Sequence, residues 1–325
     1  MPDADKSLNA EKDIVKSDVV MIGAGPSALA AAVYTTREDI GTILIEKGVI
    51  GGLAAITDQV DNYPGFPEGV TGLDLAEKLE KQAERFGADI RYGDVTSIST
   101  STSDNTIIVK TSDETYKAKA VLIATGSDYK KLGIPGEAEY YGKGVHYCAT
   151  CDGAFYREKR LVVVGGGNSA IQEALFLTRF TSHIDLLVRS KIRASEVLQH
   201  ELKKAVDEGK ITIHLNTTTD EIVAKDGKVE KVVGSLDGKK VEIDTDGVFI
   251  FIGLLPNTNF LVNSEVKLDD TAFIITDQNL MTSIPGVFAS GDVRSGATMQ
   301  IASAVGEGAT AALKIREYLE DPTRK

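Results

Sequence analysis

Residues 18–38 read DVVMIGAGPSALAAAVYTTRE, and residues 160–180 read RLVVVGGGNSAIQEALFLTRF. Each stretch opens on a short β-branched run suited to a buried parallel strand. Each then carries G-x-G-x-x-A, first as Gly23, Gly25 and Ala28, then as Gly165, Gly167 and Ala170. Each continues as an Ala/Leu-rich helix. The first glycine makes a tight turn, the second lets a pyrophosphate approach the backbone, and the third position must be small for the helix to lie on the strand. The helix N-terminus then offers free N–H groups and a positive dipole end to the phosphates. One such match is weak. Two matches in strand–turn–helix context predict an α/β fold with two Rossmann-like dinucleotide-binding domains.

The two sites are told apart about 20 residues further on, where an acid grips a ribose 2′-hydroxyl. The first motif leads to TILIEK, ending its strand at Glu46. The same distance from the second motif lands on Val188, and Arg189, Lys191 and Arg193 follow. An acid suits the unphosphorylated ribose of FAD or NAD, and a cationic cluster suits a 2′-phosphate. The first site is therefore expected to take FAD and the second NADPH. A solvated charged turn is the alternative reading of the cluster.

The chain of 325 residues has room for about two domains. At 42% apolar residues it can bury a sizeable core. Aspartate and glutamate number 48 against 36 lysines and arginines, giving a net charge of −12. Such a chain repels phosphate backbones and anionic lipid, so neither nucleic acid nor a membrane surface is an expected partner. No apolar run has membrane-spanning length. The polar opening, MPDADKSLNAEKDIVKSD, has no apolar h-region and reads as neither a secretory signal nor a transit peptide. The cytoplasm is the expected location.

Both cysteines fall in VHYCATCDGAF, residues 145–155. A lone C-x-x-C can be half a metal site, a structural staple or a redox switch. A structural disulfide is poorly suited to a reducing cytoplasm, so the motif leans toward redox or metal chemistry. A zinc site wants four ligands. The histidines, His146, His183, His200 and His214, show no ligand spacing among themselves. No metal site is expected, and His146 reads as an ordinary packed or surface residue.

Thr71 to Gly87 reads as a helix, with Thr71 as N-cap, Asp74 three residues on, an apolar stripe of Leu75, Leu79, Ala83 and Phe86, and Gly87 as the stop. Residues 88–121 alternate and suggest a small antiparallel sheet. VLIATG ends a strand at Gly126, and GVFIFIGLLPN reads as a buried strand ending near Gly253. These flank the second nucleotide unit, which looks inserted into the first. The expected organisation is an extended or disordered tail over 1–17, a split FAD domain over 18–129 and 254–325, and an NAD(P)H domain with the C-x-x-C over 130–253. Near the C-terminus a strand leads to Gly291-Asp292 and a long helix. That arrangement can set a carboxylate on a ribityl chain and a helix N-terminus beside a flavin.

Together these pieces resemble the low-molecular-weight thioredoxin reductases of bacteria and archaea. The likeness covers nearly the whole chain beyond the first 17 residues. Its most specific element is CATCD just before the second nucleotide motif. Further matches are GAGPSA, Gly51-Gly52, NYPG from Asn62, ATG at 124–126, GGGNSA and Gly291-Asp292. The resemblance implies a split FAD domain around an NADPH domain, rotation about a two-stranded hinge, a homodimer, and thioredoxin or a thioredoxin-like or glutaredoxin-like protein as partner. It assigns Gly23, Gly25, Pro26, Ala28 and Glu46 to the FAD adenosine diphosphate. Gly52, Asn62, Thr125, Gly126, Asp292, Gln300 and Ile301 would lie along the rest of the flavin. Gly165, Gly167, Asn168, Ser169 and Ala170 would line the nicotinamide nucleotide, with Arg189, Lys191 and Arg193 at its 2′-phosphate. Cys151 would be the thiol nearer the flavin, Cys148 the interchange thiol, and Asp152 the general acid and base, with a plain helix cap as the alternative for Asp152. A thiol with pKa near ambient pH exchanges fastest.

Three positions depart from the family pattern. The usual H-R-R-x-x-x-R reads Val188-Arg189-Ser190-Lys191-Ile192-Arg193, the usual R-Q-A reads Met299-Gln300-Ile301, and Leu53 stands where a glutamine is usual. They bear on the electron donor, so NADH or a carrier such as ferredoxin stands beside NADPH. A flavin-bound redox sensor without turnover is the remaining alternative.

Overall fold

The structure is a computed structural model that describes residues 14–57, 59–101 and 104–321. Its first part runs β1 (Ile14–Ile22), α1 (Pro26–Thr36), β2 (Thr42–Glu46), α2 (Gly52–Ala55), α3 (Gly72–Arg85), β3 (Asp89–Tyr92), β4 (Val95–Thr100), β5 (Ile107–Thr111), β6 (Thr115–Ile123) and β7 (Ser127–Tyr129). The middle runs β8 (Val145–His146), α4 (Ala149–Asp152), β9 (Arg160–Val164), α5 (Asn168–Leu177), β10 (His183–Val188), α6 (Glu196–Asp207) and β11 (Ile211–Leu215). Then follow β12 (Thr217–Lys225), β13 (Lys228–Leu236), β14 (Lys239–Asp244), β15 (Gly247–Ile250), β16 (Leu254–Pro256), β17 (Val287–Ala289) and α7 (Ile301–Glu320). The chain divides into two compact units, one of residues 1–128 and 256–325, the other of 129–255. Of the expected tail, residues 14–17 belong to β1 and the remainder lies outside the described residues.

The first unit is built on a sheet ordered β3-β2-β1-β6-β5-β4, with β17 also paired to β6. In β1, Val20 and Ile22 join one core cluster and Val19 and Met21 the other, because successive side chains point to opposite faces. Both faces are covered over its second half, which is why Val19–Ile22 reads as an unbroken apolar run. Helices α1 and α7 cover one face. Their approach depends on small residues: a Cβ on Gly308 would lie 2.1 Å from the Ser27 carbonyl oxygen. Helix α3 forms as its cap and stripe predict. Thr71 Oγ accepts from the Asp74 amide at 3.1 Å, and Leu75 and Ala83 are buried.

Residues 88–121 do not form a separate antiparallel sheet. Only β4, β5 and the first half of β6 pair antiparallel. Strand β3 lies parallel to β2, because α3 makes the crossover between them. The second half of β6 lies parallel to both β1 and β17. It ends at Ile123, ahead of the expected Gly126, whose φ of +67° cannot continue a strand. Likewise β15 stops at Ile250, and Gly253, at φ +115°, separates it from β16.

The second unit holds a parallel sheet ordered β11-β10-β9-β15-β8. Strand β9 repeats the logic of β1, with Leu161 and Val163 in one core cluster and Val162 and Val164 in another. A three-stranded antiparallel sheet, β12-β13-β14, occupies the connection from β11 to β15. The fold is thus α/β, with two Rossmann-like units and the second inserted into the first.

Candidate functional site

In the first unit, Gly23 follows β1 at φ +98°, and a Cβ there would lie 2.5 Å from the Ala124 carbonyl oxygen. Gly25 is the N-cap of α1 and Pro26 its first residue, where a missing N–H costs nothing. A Cβ on Gly25 would meet no protein atom within 4 Å. On Gly52 it would come only within 4.0 Å of the Gly25 Cα. These two glycines therefore leave an open cradle at the head of α1. Ala28 is fully buried under the turn.

Glu46, half-buried at the end of β2, reaches back to this turn. Its Oε2 accepts from the Ala24 amide at 2.7 Å and its Oε1 from the Gly48 amide at 2.8 Å. Spare lone pairs remain on both oxygens. A cavity of about 390 Å³ opens beside it, lined by Gly23, Glu46, Lys47, Asp94, Thr125 and Asn257 among others. Thr125 and Asn257 hold each other across 132 positions of sequence. The Thr125 hydroxyl donates to the Asn257 carbonyl at 2.8 Å, and the Asn257 side-chain amide donates to the Thr125 carbonyl at 3.0 Å. The Gly126 carbonyl accepts the Asn257 backbone N–H at 3.0 Å.

After β17, Gly291 turns at φ +72°, with its N–H on Glu307 Oε2 at 2.8 Å. Arg294 pairs with the same carboxylate at 2.6 Å. Asp292, next to Gly291, buries its Oδ1 with no hydrogen-bond partner among the described residues. Burial first, and the Glu307 charge second, push the Asp292 carboxyl up to about 6. Gln300 caps α7 by position, though its side chain accepts from Asn62 Nδ2 at 3.1 Å and makes no cap bond. Ile301 begins that helix. An orphaned acid, an open cradle and an acceptor set at Glu46 fit a flavin adenine dinucleotide in this unit.

In the second unit, Gly165 stands at φ +146°, and a Cβ there would lie 2.3 Å from the Phe251 carbonyl oxygen. Gly167 is the N-cap of α5 and faces open space. Ala170 is fully buried, and Ser169 is exposed. The segment carrying the three cations is pinned to this turn. Arg193 N–H donates to the Gly166 carbonyl at 2.7 Å, and the Ser195 amide donates to Asn168 Oδ1 at 2.8 Å. Arg189, Lys191 and Arg193 are exposed beside the glycine turn, with no ion pair among the described residues. Free cations over an open glycine turn suit a phosphorylated ribose.

The same unit carries the cysteines. Cys148 and Cys151 form a disulfide with Cα atoms 5.3 Å apart. Cys148 is half-buried and Cys151 exposed. Cys148 is itself the N-cap of α4, its Sγ accepting the Cys151 amide at 3.1 Å. That helix is a single turn, so it supplies local N–H groups rather than a long dipole. Asp152 ends α4 and makes no side-chain cap bond. Its Oδ2 lies 3.2 Å from Nδ1 of His146, a buried residue whose role the sequence did not disclose.

Two nucleotide-binding units, one bearing an accessible disulfide, define a nucleotide-dependent disulfide oxidoreductase. The family model for pyridine nucleotide-disulphide oxidoreductases matches residues 17–308. The thioredoxin reductase of Bacillus subtilis is 43% identical over 307 residues, covering 94% of this chain and 95% of that protein. The thioredoxin reductase of Listeria monocytogenes is 42% identical, covering 94% of each. The crystal structure of thioredoxin reductase from Streptococcus pyogenes superposes with a TM-score of 0.88 at 39% identity, covering 95% of this chain and 99% of that one. The chain belongs to the pyridine nucleotide-disulphide oxidoreductase family, and its cofactors are a flavin and a nicotinamide nucleotide.

Proposed function

We propose that this chain is a thioredoxin-disulfide reductase that takes electrons from NADPH through FAD to the Cys148–Cys151 disulfide, and from there to thioredoxin or a similar protein. The observation that carries the reading is the disulfide at α4, one strand ahead of a second dinucleotide turn. Relatives named thioredoxin reductase, about as long as this chain and alike over nearly all of it, support it.

Gly23, Gly25, Pro26, Ala28, Glu46 and Gly52 would hold the adenosine diphosphate of FAD. Asn62, Thr125, Gly126, Asp292, Gln300 and Ile301 would hold the rest. Gly165, Gly167, Asn168, Ser169 and Ala170 would hold the nicotinamide nucleotide. Arg189, Lys191 and Arg193 favour the 2′-phosphate of NADPH over NADH. The flavin, when bound, accepts a hydride as an electron pair and makes that pair available to a disulfide. The protein's own part is to hold both nucleotides, keep water and oxygen from the transfer, and manage protons at sulfur. Breaking the S–S bond with two electrons and completing both thiols requires two protons, and Asp152, next to Cys151, is the proposed carrier. Cys148 is the proposed attacking thiol and Cys151 the resolving one.

The partner class is thioredoxin-like. A homodimer in the cytoplasm is the expected setting. Among the described residues, no helix is long and apolar enough to cross a membrane. The testing experiment replaces each cysteine by serine. Cys148→Ser and Cys151→Ser should remain yellow and folded, yet lose thioredoxin-dependent NADPH oxidation. Full turnover in both variants would remove the disulfide from the path.

A further inference from the structure

We propose that His146 is a positioning residue for Asp152, and that Tyr156, hydrogen-bonded to His146, and Asp152, in contact with it, form a single chain serving the Cys148–Cys151 pair. The proposal rests on the disulfide chemistry above and adds residues that it did not require.

The geometry is continuous. His146 lies at the end of β8 with 7% of its side chain exposed, against 23% for Asp152. Its Nδ1 is 3.2 Å from Asp152 Oδ2, and its Nε2 is 2.7 Å from the Tyr156 hydroxyl. The ring is held as well as bonded. It stacks on Phe249 of β15 at 5.0 Å between centroids and meets Tyr156 edge-on at 5.3 Å. Tyr156 is lodged in turn against Gly247, where a Cβ would sit 2.5 Å from the tyrosine ring. Two aromatic neighbours and a glycine slot therefore fix the imidazole.

Burial, and then the charges of Asp152 and Asp246, keep the Tyr156 hydroxyl protonated. The hydroxyl and Nε2 share one hydrogen bond of 2.7 Å. Nδ1 of the same ring faces Asp152 Oδ2 at 3.2 Å. The titratable groups facing His146 are thus Asp152 and Tyr156. Asp246, which also pairs with Lys159 at 3.5 Å, stands behind Tyr156. Phe249 contributes no charge.

The chemical consequence concerns one oxygen. With Oδ2 set against His146 Nδ1, Oδ1 is the oxygen assigned to carry a proton. When the dithiol reduces a partner disulfide, Cys148 sulfur bonds to one partner sulfur and the other partner sulfur leaves with an electron pair and takes a proton. Cys151 sulfur then closes on Cys148, and the second partner sulfur leaves and takes the second proton. Both protons come from the two thiols, one by way of Asp152. A carboxylate fixed in place makes that transfer independent of a rotamer search.

The test uses full-length, flavin-bound protein in four forms: wild type, His146→Phe, Asp152→Asn and the double variant. Phenylalanine keeps the stack on Phe249 and removes both nitrogens. After chemical reduction and removal of the reductant, alkylation of the dithiol by iodoacetamide is followed against pH. This readout needs neither nicotinamide nor thioredoxin, so an error about donor or partner leaves it intact. His146→Phe should move the midpoint of the profile by about half a pH unit or more where Asp152 is present, through loss of the Nδ1 contact with that carboxyl. In the Asp152→Asn background it should cause no movement. Thioredoxin-linked kcat should fall about ten-fold with KM retained, and His146→Gln should recover part of it. If His146→Phe folds poorly, Tyr156→Phe removes one hydroxyl and should shift the profile the same way by less. Equal shifts in both backgrounds, or none in either, overturn the proposal.

Discussion

Glu46 Oε2 accepts the backbone N–H of Ala24 at 2.7 Å, joining the end of β2 to the middle of the first glycine turn. One carboxylate thereby shapes the turn and leaves acceptor capacity for a ribose. Glu46→Ala removes both and strands the Ala24 amide, a loss of about 1–3 kcal/mol. FAD affinity should fall about ten-fold to a hundred-fold, measured by fluorescence titration of the flavin-free chain. Unchanged affinity would place the adenosine elsewhere.

Gly23 and Gly25 should fail differently when changed to alanine. At Gly23 the new Cβ meets a carbonyl oxygen at 2.5 Å in a left-handed conformation, so stability should drop by about 1–3 kcal/mol along with flavin content. At Gly25 the backbone is extended, φ −76°, and the new methyl enters open space. That variant should melt as wild type does yet lose flavin. Thermal denaturation beside the visible flavin spectrum separates the two effects.

Asp292 should make the flavin-free protein less stable as pH rises. Its folded pKa of about 6 lies above the ordinary 3.8, so its contribution is fully present below about pH 4 and is lost as pH climbs through 6. The cost above that window is on the order of 3 kcal/mol. Asp292→Asn should therefore raise the melting temperature at pH 8, with the gain fading as pH falls to 4. A gain that is the same at both pH values would assign it to packing rather than to charge.

Arg189, Lys191 and Arg193 give the donor prediction. Replacing all three by alanine removes the charge-assisted bonds available to a 2′-phosphate. The kcat/KM for NADPH should fall about ten-fold to a hundred-fold, while that for NADH stays level. Equal losses for both nucleotides would mark the cluster as structural.

The parts legible in the sequence were those with short-range signals. The turns at Gly23 and Gly165, the strand-end acid at Glu46, the capped helix from Gly72 and the C-x-x-C all lie within a few tens of residues of the features that define them. The relationships that stayed hidden join distant positions. Nothing near Asn257 announces its double bond to Thr125, and nothing near Glu307 announces its hold on Gly291. The pairing of β3 with β2 was missed because an alternating pattern does not state strand direction. His146 is packed, as one of its sequence readings had it, but its neighbours could not be named there because Phe249 comes from a neighbouring strand and a single histidine carries no spacing signal.

The most direct measurement is an anaerobic titration of the oxidised, flavin-bound protein with NADPH, read by flavin absorbance and by thiol count. The account predicts bleaching of the flavin and two new thiols per chain, from the one disulfide, which then disappear when oxidised thioredoxin is added. A flavin that bleaches fully while the thiol count stays at zero would contradict it.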